Sequence, residues 1–158
     1  MKIQLNHVLS KQAVLLDLQL SSKKRLFEHV GILFENSHGI ARSLIFDSLF
    51  EREKLGSTAL GQGVAIPHGR IKGLHEAVGV FIRLKTPLAF DAPDRHPVHL
   101  VFVLLAPEQA TDLHLQILSE LAQLFSDKTL RDQLMQVGSI EQAYALLCNW
   151  SNRAPNST

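Results

Sequence analysis

Cysteine is almost missing from this chain. Cys148 is the only one in 158 residues, so an internal disulfide is excluded, and we interpret Cys148 as a packed side chain. Long apolar runs are missing too, because the longest, residues 100–106, is far below the ~20 residues that a membrane-spanning helix needs. Residues 1–10 lack the apolar core of a signal peptide. These absences predict a cytoplasmic protein without membrane insertion.

The chain also lacks an excess of charge of either sign. Lysine and arginine number 16 against 15 aspartates and glutamates, which gives a net charge of +1 without a long basic run. A protein that binds nucleic acid is expected to carry a basic patch or stripe. Nucleic acid is therefore not an expected partner.

Known cofactor and metal motifs are absent as well. The glycine-rich residues 61–69 contain no Gly-Lys-Ser/Thr of a Walker loop, and Ile66 stands where the dinucleotide fingerprint has its third glycine. Among the eight histidines, His96 and His99 are three apart on a predicted strand, so they point to opposite faces. The single cysteine adds no ligand cluster. We expect neither a cofactor nor a metal.

Apolar patterning predicts one α/β domain over residues 1–150, followed by a polar tail at 151–158. The run at 97–105 is apolar almost throughout, which is typical of a central strand covered on both faces. The proline-rich residues before it, 85–96, indicate a loop or an edge strand. Helices before, beside and after the strands predict a sandwich in which helices flank a mixed central sheet. The other predicted strands are 14–20, a pair within 58–68 with a turn at Gly61-Gln62-Gly63, and 78–84; the predicted helices follow Ser22, span about 40–55, begin near 111, follow Asp127 and span 140–150 after Ser139.

His68 is the first candidate for chemistry. Pro67 before it fixes φ and removes a backbone donor, and Gly69 after it lets the chain turn away. This pattern predicts a strand that ends with the imidazole at the rim of the sheet, where a partner can reach it. The alternative is a structural histidine, which is common at strand ends.

Arg52 and His114 are the next candidates. Arg52 lies in the last turn of the second predicted helix, on the face that continues its apolar stripe; the alternative is a helix-terminal charge paired with Glu51 or Glu53. His114 lies in the opening turn of a helix, whose positive end should lower its pKa and keep the ring neutral beside an anion. The alternative for His114 is a solvated first-turn histidine.

Two stretches of the sequence resemble a known family. Residues 51–69, "EREKLGSTALGQGVAIPHG", are similar to the active-site signature of the mannitol/fructose-type EIIA proteins of the bacterial phosphoenolpyruvate-dependent phosphotransferase system. Residues 113–122, "LHLQILSELA", resemble the helix that supplies a second histidine in that family. Order and spacing agree over about residues 3–150, so the resemblance covers nearly the whole chain.

The resemblance implies a phosphorylated histidine. It assigns His68 as the phosphoryl acceptor through its outer ring nitrogen, Arg52 as a contact of the phosphoryl group and His114 as its support from a facing helix. The donor would be a phosphocarrier protein of the HPr or NPr kind, and the transfer needs no metal. Residues implied to support the phosphate site are Ser57, Thr58, Gln62 and Gly69.

Gln62 bears on the subclass. Sugar-transport members have glutamate between the two glycines, whereas nitrogen-regulatory members have a neutral amide, usually asparagine. With its neutral Gln62 and no fused transporter domain in the sequence, the chain is most like the nitrogen-regulatory EIIA-Ntr proteins. Two alternatives stay open: a sugar-transport EIIA that passes phosphate to an EIIB, and a binding module switched by phosphorylation without onward transfer. A metal-dependent hydrolase using His68 and His114 lacks the expected carboxylate–histidine cluster.

Overall fold

The computed structural model of the chain describes residues 4–109 and 111–150, so the tail predicted at 151–158 lies outside the described residues. Two short 3-10 turns, Leu5–His7 and Lys11–Ala13, precede the first strand. The strands are β1 Val14–Leu18, β2 Ala59–Gly61, β3 Val64–Ala65, β4 His68–Ile71, β5 Val78–Leu88 and β6 Val98–Pro107. The helices are α1 Lys23–His38, α2 Arg42–Lys54, α3 Thr111–Ser126, α4 Lys128–Gln136 and α5 Ile140–Cys148. Among the described residues no helix has the length and apolar character to cross a bilayer.

The six strands form one mixed sheet, as predicted. Its order is β1-β5-β6-β3-β2, and β4 pairs with β6 beyond β3. β5 and β6 are antiparallel, whereas β1 is parallel to β5, and β3 and β4 are parallel to β6. β6 is buried over most of its length, which confirms the prediction of a central strand covered on both faces.

The predicted caps and the predicted hairpin turn are confirmed. The side chains of Ser22, Asp127 and Ser139 accept hydrogen bonds from the backbone at the starts of α1, α4 and α5. Gln62 and Gly63 join β2 to β3, with φ values of 59° and 79°. Positive φ at both central residues is the mark of the two-residue turn whose twist suits a hairpin.

The prediction that a strand ends at His68 was wrong. β3 and β4 lie along β6 in one unbroken register, with Val64 opposite Leu100 and His68 opposite Leu104. Proline removes only its own N–H, and the Pro67 carbonyl still accepts from the Leu104 N–H at 3.0 Å. The ladder therefore resumes, and His68 begins β4 instead of ending a strand.

The segment predicted as a loop or an edge strand, residues 85–96, is divided by the structure. β5 runs on to Leu88, which pairs with Val98 of β6 after a register shift that follows Arg83. Pro87 lies within this irregular stretch, where a missing N–H disturbs the ladder least. The remaining residues, 89–97, form the connection to β6.

Helices α2 and α3 approach β4 from opposite faces of the sheet. Leu104, opposite His68, shares its face of β6 with Phe102, whose ring contacts Phe125 of α3. Gly69 points to the other face, towards Ser48 of α2. Among the described strands β4 pairs only with β6, so it forms a sheet edge that both helices can reach.

Candidate functional site

The hydrogen bonds of His68 fix the state of its imidazole. Nδ1 lies 2.9 Å from the carbonyl oxygen of Ile66, and Nε2 lies 3.2 Å from Nε of Arg52. A carbonyl can only accept and a guanidinium can only donate, so Nδ1 carries the proton and Nε2 keeps its lone pair. The ring is thus neutral, with its nucleophilic nitrogen on the side of Arg52.

The electrostatic surroundings also favour the neutral ring. Burial lowers the pKa of His68 below its usual value, and the positive charge of Arg52 acts in the same direction. The bond to the Ile66 carbonyl and the charge of Glu53 oppose this shift without cancelling it. His68 is therefore uncharged at neutral pH, as a nucleophile requires.

Arg52 reaches His68 because α2 packs directly onto β4. A Cβ atom on Gly69 would lie only 2.2 Å from Oγ of Ser48, so glycine is needed for this close approach. Oγ of Ser48 donates to the Arg70 carbonyl at 3.2 Å. One turn after Ser48, Arg52 donates through Nη1 to the Gly56 carbonyl at 2.8 Å, which directs its Nε to His68.

The structure pairs Glu51 and Glu53 with lysines, which contradicts the alternative that they pair with Arg52. Glu51 binds Lys54 at 3.1 Å, and Glu53 binds Lys23 at 3.1 Å. The described hydrogen bonds of Arg52 go to His68 and Gly56. Arg52 is therefore a hydrogen-bond partner of the His68 imidazole. The sequence alone was equally compatible with an ion pair to Glu51 or Glu53.

His114 of α3 lies beside His68 on the face of the sheet opposite to α2. The two ring centroids are 5.2 Å apart with an angle of 59° between the ring planes. His114 is only 7% exposed, which contradicts the alternative of a solvated first-turn histidine. Among the described residues its Nδ1 is the one buried side-chain polar atom without a hydrogen-bond partner. A buried donor or acceptor in this state is costly unless a ligand completes it.

The pKa of His114 is lowered to about 4. Burial is the largest cause, and the positive charges of His68, when protonated, and of Arg70 add to it. The direction agrees with the prediction from the sequence. The predicted cause was the positive end of the helix, whereas burial is the leading one here.

An open recess surrounds the two histidines, and we call it the His68 recess. It is lined by Ser48, Glu51, Arg52 and Leu55 from α2 and the residue after it, by His68, Gly69 and Arg70 from β4, by Glu108, and by His114 and Leu115 from α3. Leu55 and Leu115 at its rim are 85% and 59% exposed. The recess thus combines an apolar rim with charged groups around a neutral imidazole.

Three of the four residues expected to support a phosphate do not line this recess. Ser57 donates to the Phe90 carbonyl and accepts from the Ala59 N–H. Gln62 is exposed in the hairpin turn, and its backbone N–H donates to Asp94 at 2.8 Å. Of the four, Gly69 lines the recess itself.

Thr58, the third of these residues, acts on the end of α2. Its Oγ1 donates to Glu53 at 2.6 Å and its N–H donates to the same carboxylate at 3.1 Å. Lys23 at the start of α1 completes this partly buried cluster. Thr58 is therefore placed to hold the helix end that carries Arg52, not to touch an anion beside His68.

Sequence reasoning missed Arg70 and Glu108 as members of the recess. The signal for Arg70 was present, because side chains two apart on a strand share a face and Arg70 follows His68 by two. It was overlooked because the strand was expected to end at His68. Glu108 follows the predicted strand by three residues, and only the register of β4 against β6 brings it close.

With this fold and this site described, comparison with known proteins gives the class. A family model of the phosphoenolpyruvate-dependent sugar phosphotransferase system, EIIA 2, matches residues 7–150. The chain belongs to this EIIA family. The mannitol IIA protein of Escherichia coli has the same fold, with a TM-score of 0.74 at 20% identity over 93% of this chain and 99% of that one.

Within the family, the chain is most like the nitrogen regulatory proteins. It is 40% identical to the nitrogen regulatory protein of Klebsiella oxytoca over 92% of this chain and 90% of that protein. It is 51% identical to the nitrogen regulatory protein IIA-Ntr of Neisseria meningitidis, with a TM-score of 0.87 over 90% of this chain and 98% of that structure.

Proposed function

We propose that this chain is a regulatory phosphotransferase component that is transiently phosphorylated on Nε2 of His68. The observation that carries the proposal is the pair of hydrogen bonds on the imidazole. The Ile66 carbonyl holds the proton on Nδ1, so the lone pair remains on Nε2, the nitrogen beside Arg52. Membership of the EIIA family supports the same chemistry.

The phosphoryl donor is a phosphohistidine on a phosphocarrier protein of the HPr or NPr kind. The Nε2 lone pair of His68 attacks the phosphorus in line with the bond that breaks. That bond joins phosphorus to the donor imidazole, and its electron pair returns to the donor nitrogen. The proton of His68 stays on Nδ1, hydrogen-bonded to the Ile66 carbonyl, throughout, so the step needs no general base. Positioning and stabilisation of the equatorial oxygens are then the main contributions of the protein.

Arg52 and His114 provide these contributions. In the unphosphorylated protein the Nε of Arg52 donates to the Nε2 lone pair, so Arg52 must move onto the phosphoryl oxygens as the new bond forms. His114 is neutral and its buried Nδ1 lacks a partner among the described residues. A phosphoryl oxygen is a suitable acceptor for a proton on that nitrogen.

The regulatory assignment rests on the nitrogen regulatory relatives and on the rim of the recess. Phosphorylation places a group whose oxygens carry about −1.5 to −2 in the recess that the exposed residues Leu55 and Leu115 line. Such a charge changes which proteins can dock against an apolar rim. The phosphorylated and unphosphorylated proteins should therefore hold different partners.

A sugar-transport role is the second candidate. The mannitol IIA protein of Escherichia coli has been solved in a complex with phosphorylated enzyme IIB, and its fold matches this chain with a TM-score of 0.75. A carrier of this kind passes the phosphoryl group to an EIIB acceptor. A regulatory switch keeps it.

Labelling from phosphoenolpyruvate tests the proposal. The protein is incubated with phosphoenolpyruvate, enzyme I and a phosphocarrier, and acid-labile phosphate is mapped by mass spectrometry. We expect one phosphate on His68 and none in His68→Ala. His96→Ala, which removes an exposed histidine (side chain 71% exposed), is the matched control and should label fully. Full labelling of His68→Ala would falsify the proposal, and onward transfer to added EIIB would favour the sugar-transport role.

A further inference from the structure

Arg70 places a second guanidinium in the His68 recess. It follows His68 by two residues on β4, and alternation puts both side chains on one face. The burial pattern agrees, because Gly69 and Ile71 are buried whereas His68 is half-buried and Arg70 is exposed. Residues two apart on a strand are separated by about 7 Å, a distance that an extended arginine side chain can span.

The backbone of Arg70 is held on two sides. It pairs with Ala106 of β6, and its carbonyl accepts from Ser48 of α2 at 3.2 Å. The base of the side chain is therefore as fixed as that of His68. Arg70 lines the same recess as Arg52 and His114, and its charge contributes to the lowered pKa of His114.

Phosphorylation of His68 adds negative charge to the recess. The lining of the recess includes two arginines, Arg52 and Arg70, and two glutamates, Glu51 and Glu108, and the charge of Glu51 is already paired with Lys54 at 3.1 Å. The oxygens of the phosphoryl group themselves carry about −1.5 to −2. One guanidinium cannot balance a dianion, and Arg70 is the other cation that lines the recess.

We infer that Arg70 is a second phosphoryl-binding residue, whose guanidinium contacts the oxygens of the phosphoryl group on His68 in addition to Arg52. This inference rests on the proposed function of His68. A contact made only in the phosphorylated protein stabilises that state relative to the unphosphorylated one. Arg70 should thus shift the equilibrium of phosphoryl transfer as well as its rate.

The equilibrium with the phosphocarrier is the first test. Arg70→Gln removes the charge, and Lys72→Gln is the matched control because Lys72 is exposed two residues further on and does not line the recess. Each variant is mixed with phosphorylated carrier. The distribution of phosphate between the carrier and the variant is measured once the reaction has reached equilibrium. We expect Arg70→Gln to lower the transfer equilibrium constant by about fivefold or more. Lys72→Gln should stay within about twofold of the unaltered protein.

Binding of inorganic phosphate is the second test, and it does not depend on phosphoryl transfer. The imidazole protons of His68 and His114 are followed by NMR while phosphate is added to the unphosphorylated proteins. Arg70→Gln should raise the phosphate Kd by about fivefold, and Lys72→Gln should leave it nearly unchanged.

The outcomes separate the two proposals. If Arg70 serves only to dock the phosphocarrier, Arg70→Gln changes the forward and reverse rates equally, leaves the equilibrium constant and the phosphate Kd unchanged, and the inference is overturned while His68 remains the acceptor. If the unaltered protein takes no phosphate from the carrier, the proposed function fails and the inference about Arg70 fails with it, whatever the phosphate titration shows.

Discussion

Arg83 donates four hydrogen bonds from a buried position, whereas Arg52 donates two at the edge of an open recess. Nε and Nη2 of Arg83 bind the Asp17 carboxylate at 3.1 and 2.9 Å, and Nη1 binds the carbonyls of Leu134 and Val137 at 3.1 and 2.6 Å. Arg83 thereby ties β1, β5 and the end of α4 together. Its charge is fully engaged by groups of the protein itself.

Arg52 retains unused hydrogen-bonding capacity. A guanidinium has five N–H donors, and one of the two described partners of Arg52 is the lone pair of His68 that a phosphoryl group would occupy. The comparison teaches that the number of donors left over, not burial or charge alone, separates an arginine that stabilises the fold from one that can bind a ligand. Substitutions at the two positions should therefore affect different measurements.

Arg52 carries the largest expected effect on phosphoryl transfer. Arg52→Ala should slow phosphorylation of His68 by about 100-fold, the usual cost of removing one donor to a developing charge. Arg52→Lys keeps the charge without the planar fork, so an intermediate rate is expected. The rate is measured by rapid quench with phosphorylated carrier, and the free energy of unfolding should change little. Equal rates in all three proteins would mean that Arg52 does not contact the phosphoryl group.

Arg83 carries the largest expected effect on stability. Arg83→Ala leaves the Leu134 and Val137 carbonyls without their donor and removes a side chain that is 9% exposed. We expect the free energy of unfolding to fall by about 2–3 kcal/mol, measured by urea denaturation. Below its unfolding transition the variant should still accept phosphate at the normal rate. Loss of labelling in the folded variant would show that the two arginines are coupled and would break the comparison.

The sequence could predict Arg52 but not the role of Arg83. Arg52 continues a helical stripe and stands in a motif near His68, so helical phase and resemblance both indicate it. Arg83 lies in an apolar strand, and its partner Asp17 is 66 residues away, which only the pairing of β1 with β5 brings close. β4 was missed for a similar reason. Pro67 lacks an N–H donor, but its carbonyl still accepts a hydrogen bond from Leu104 of β6, and only the pairing of the strands shows this.

Protonation of His114 makes the stability of the protein depend on pH. A histidine whose pKa falls from about 6.5 in the unfolded chain to about 4 in the folded protein leaves the unfolded state with more bound protons between these values. Stability is therefore full above about pH 6.5 and is lost as the pH falls towards 4, by about 2 kcal/mol between pH 7 and pH 5. The lowered pKa of His68 acts in the same direction.

His114→Gln should make the loss of stability between pH 7 and pH 5 smaller by this amount, measured by urea denaturation at each pH. Glutamine also keeps one donor, so some phosphorylation of His68 should remain, whereas His114→Ala should reduce it more. A proton NMR titration gives the pKa directly in the unaltered protein. A pKa of His114 above 6.5, or phosphate found on His114 itself, would contradict the assigned role.

Gly69 carries the smallest of these effects and tests how tightly the recess depends on the packing beneath it. In Gly69→Ala the new Cβ would lie 2.2 Å from Oγ of Ser48 and 3.2 Å from its Cβ, so α2 or β4 must shift, at a cost of about 1–2 kcal/mol in the free energy of unfolding. A shift of α2 moves Arg52 relative to Nε2 of His68, and phosphorylation should slow with it.

Ser48→Ala removes the closest atom, so the double variant should regain part of both losses, while Ser48→Ala alone loses only its hydrogen bond to the Arg70 carbonyl. If Gly69→Ala lowers stability but leaves the rate of phosphoryl transfer intact, Arg52 can reach the phosphoryl group without the close packing of α2 on β4, and the recess is more adaptable than its hydrogen bonds indicate.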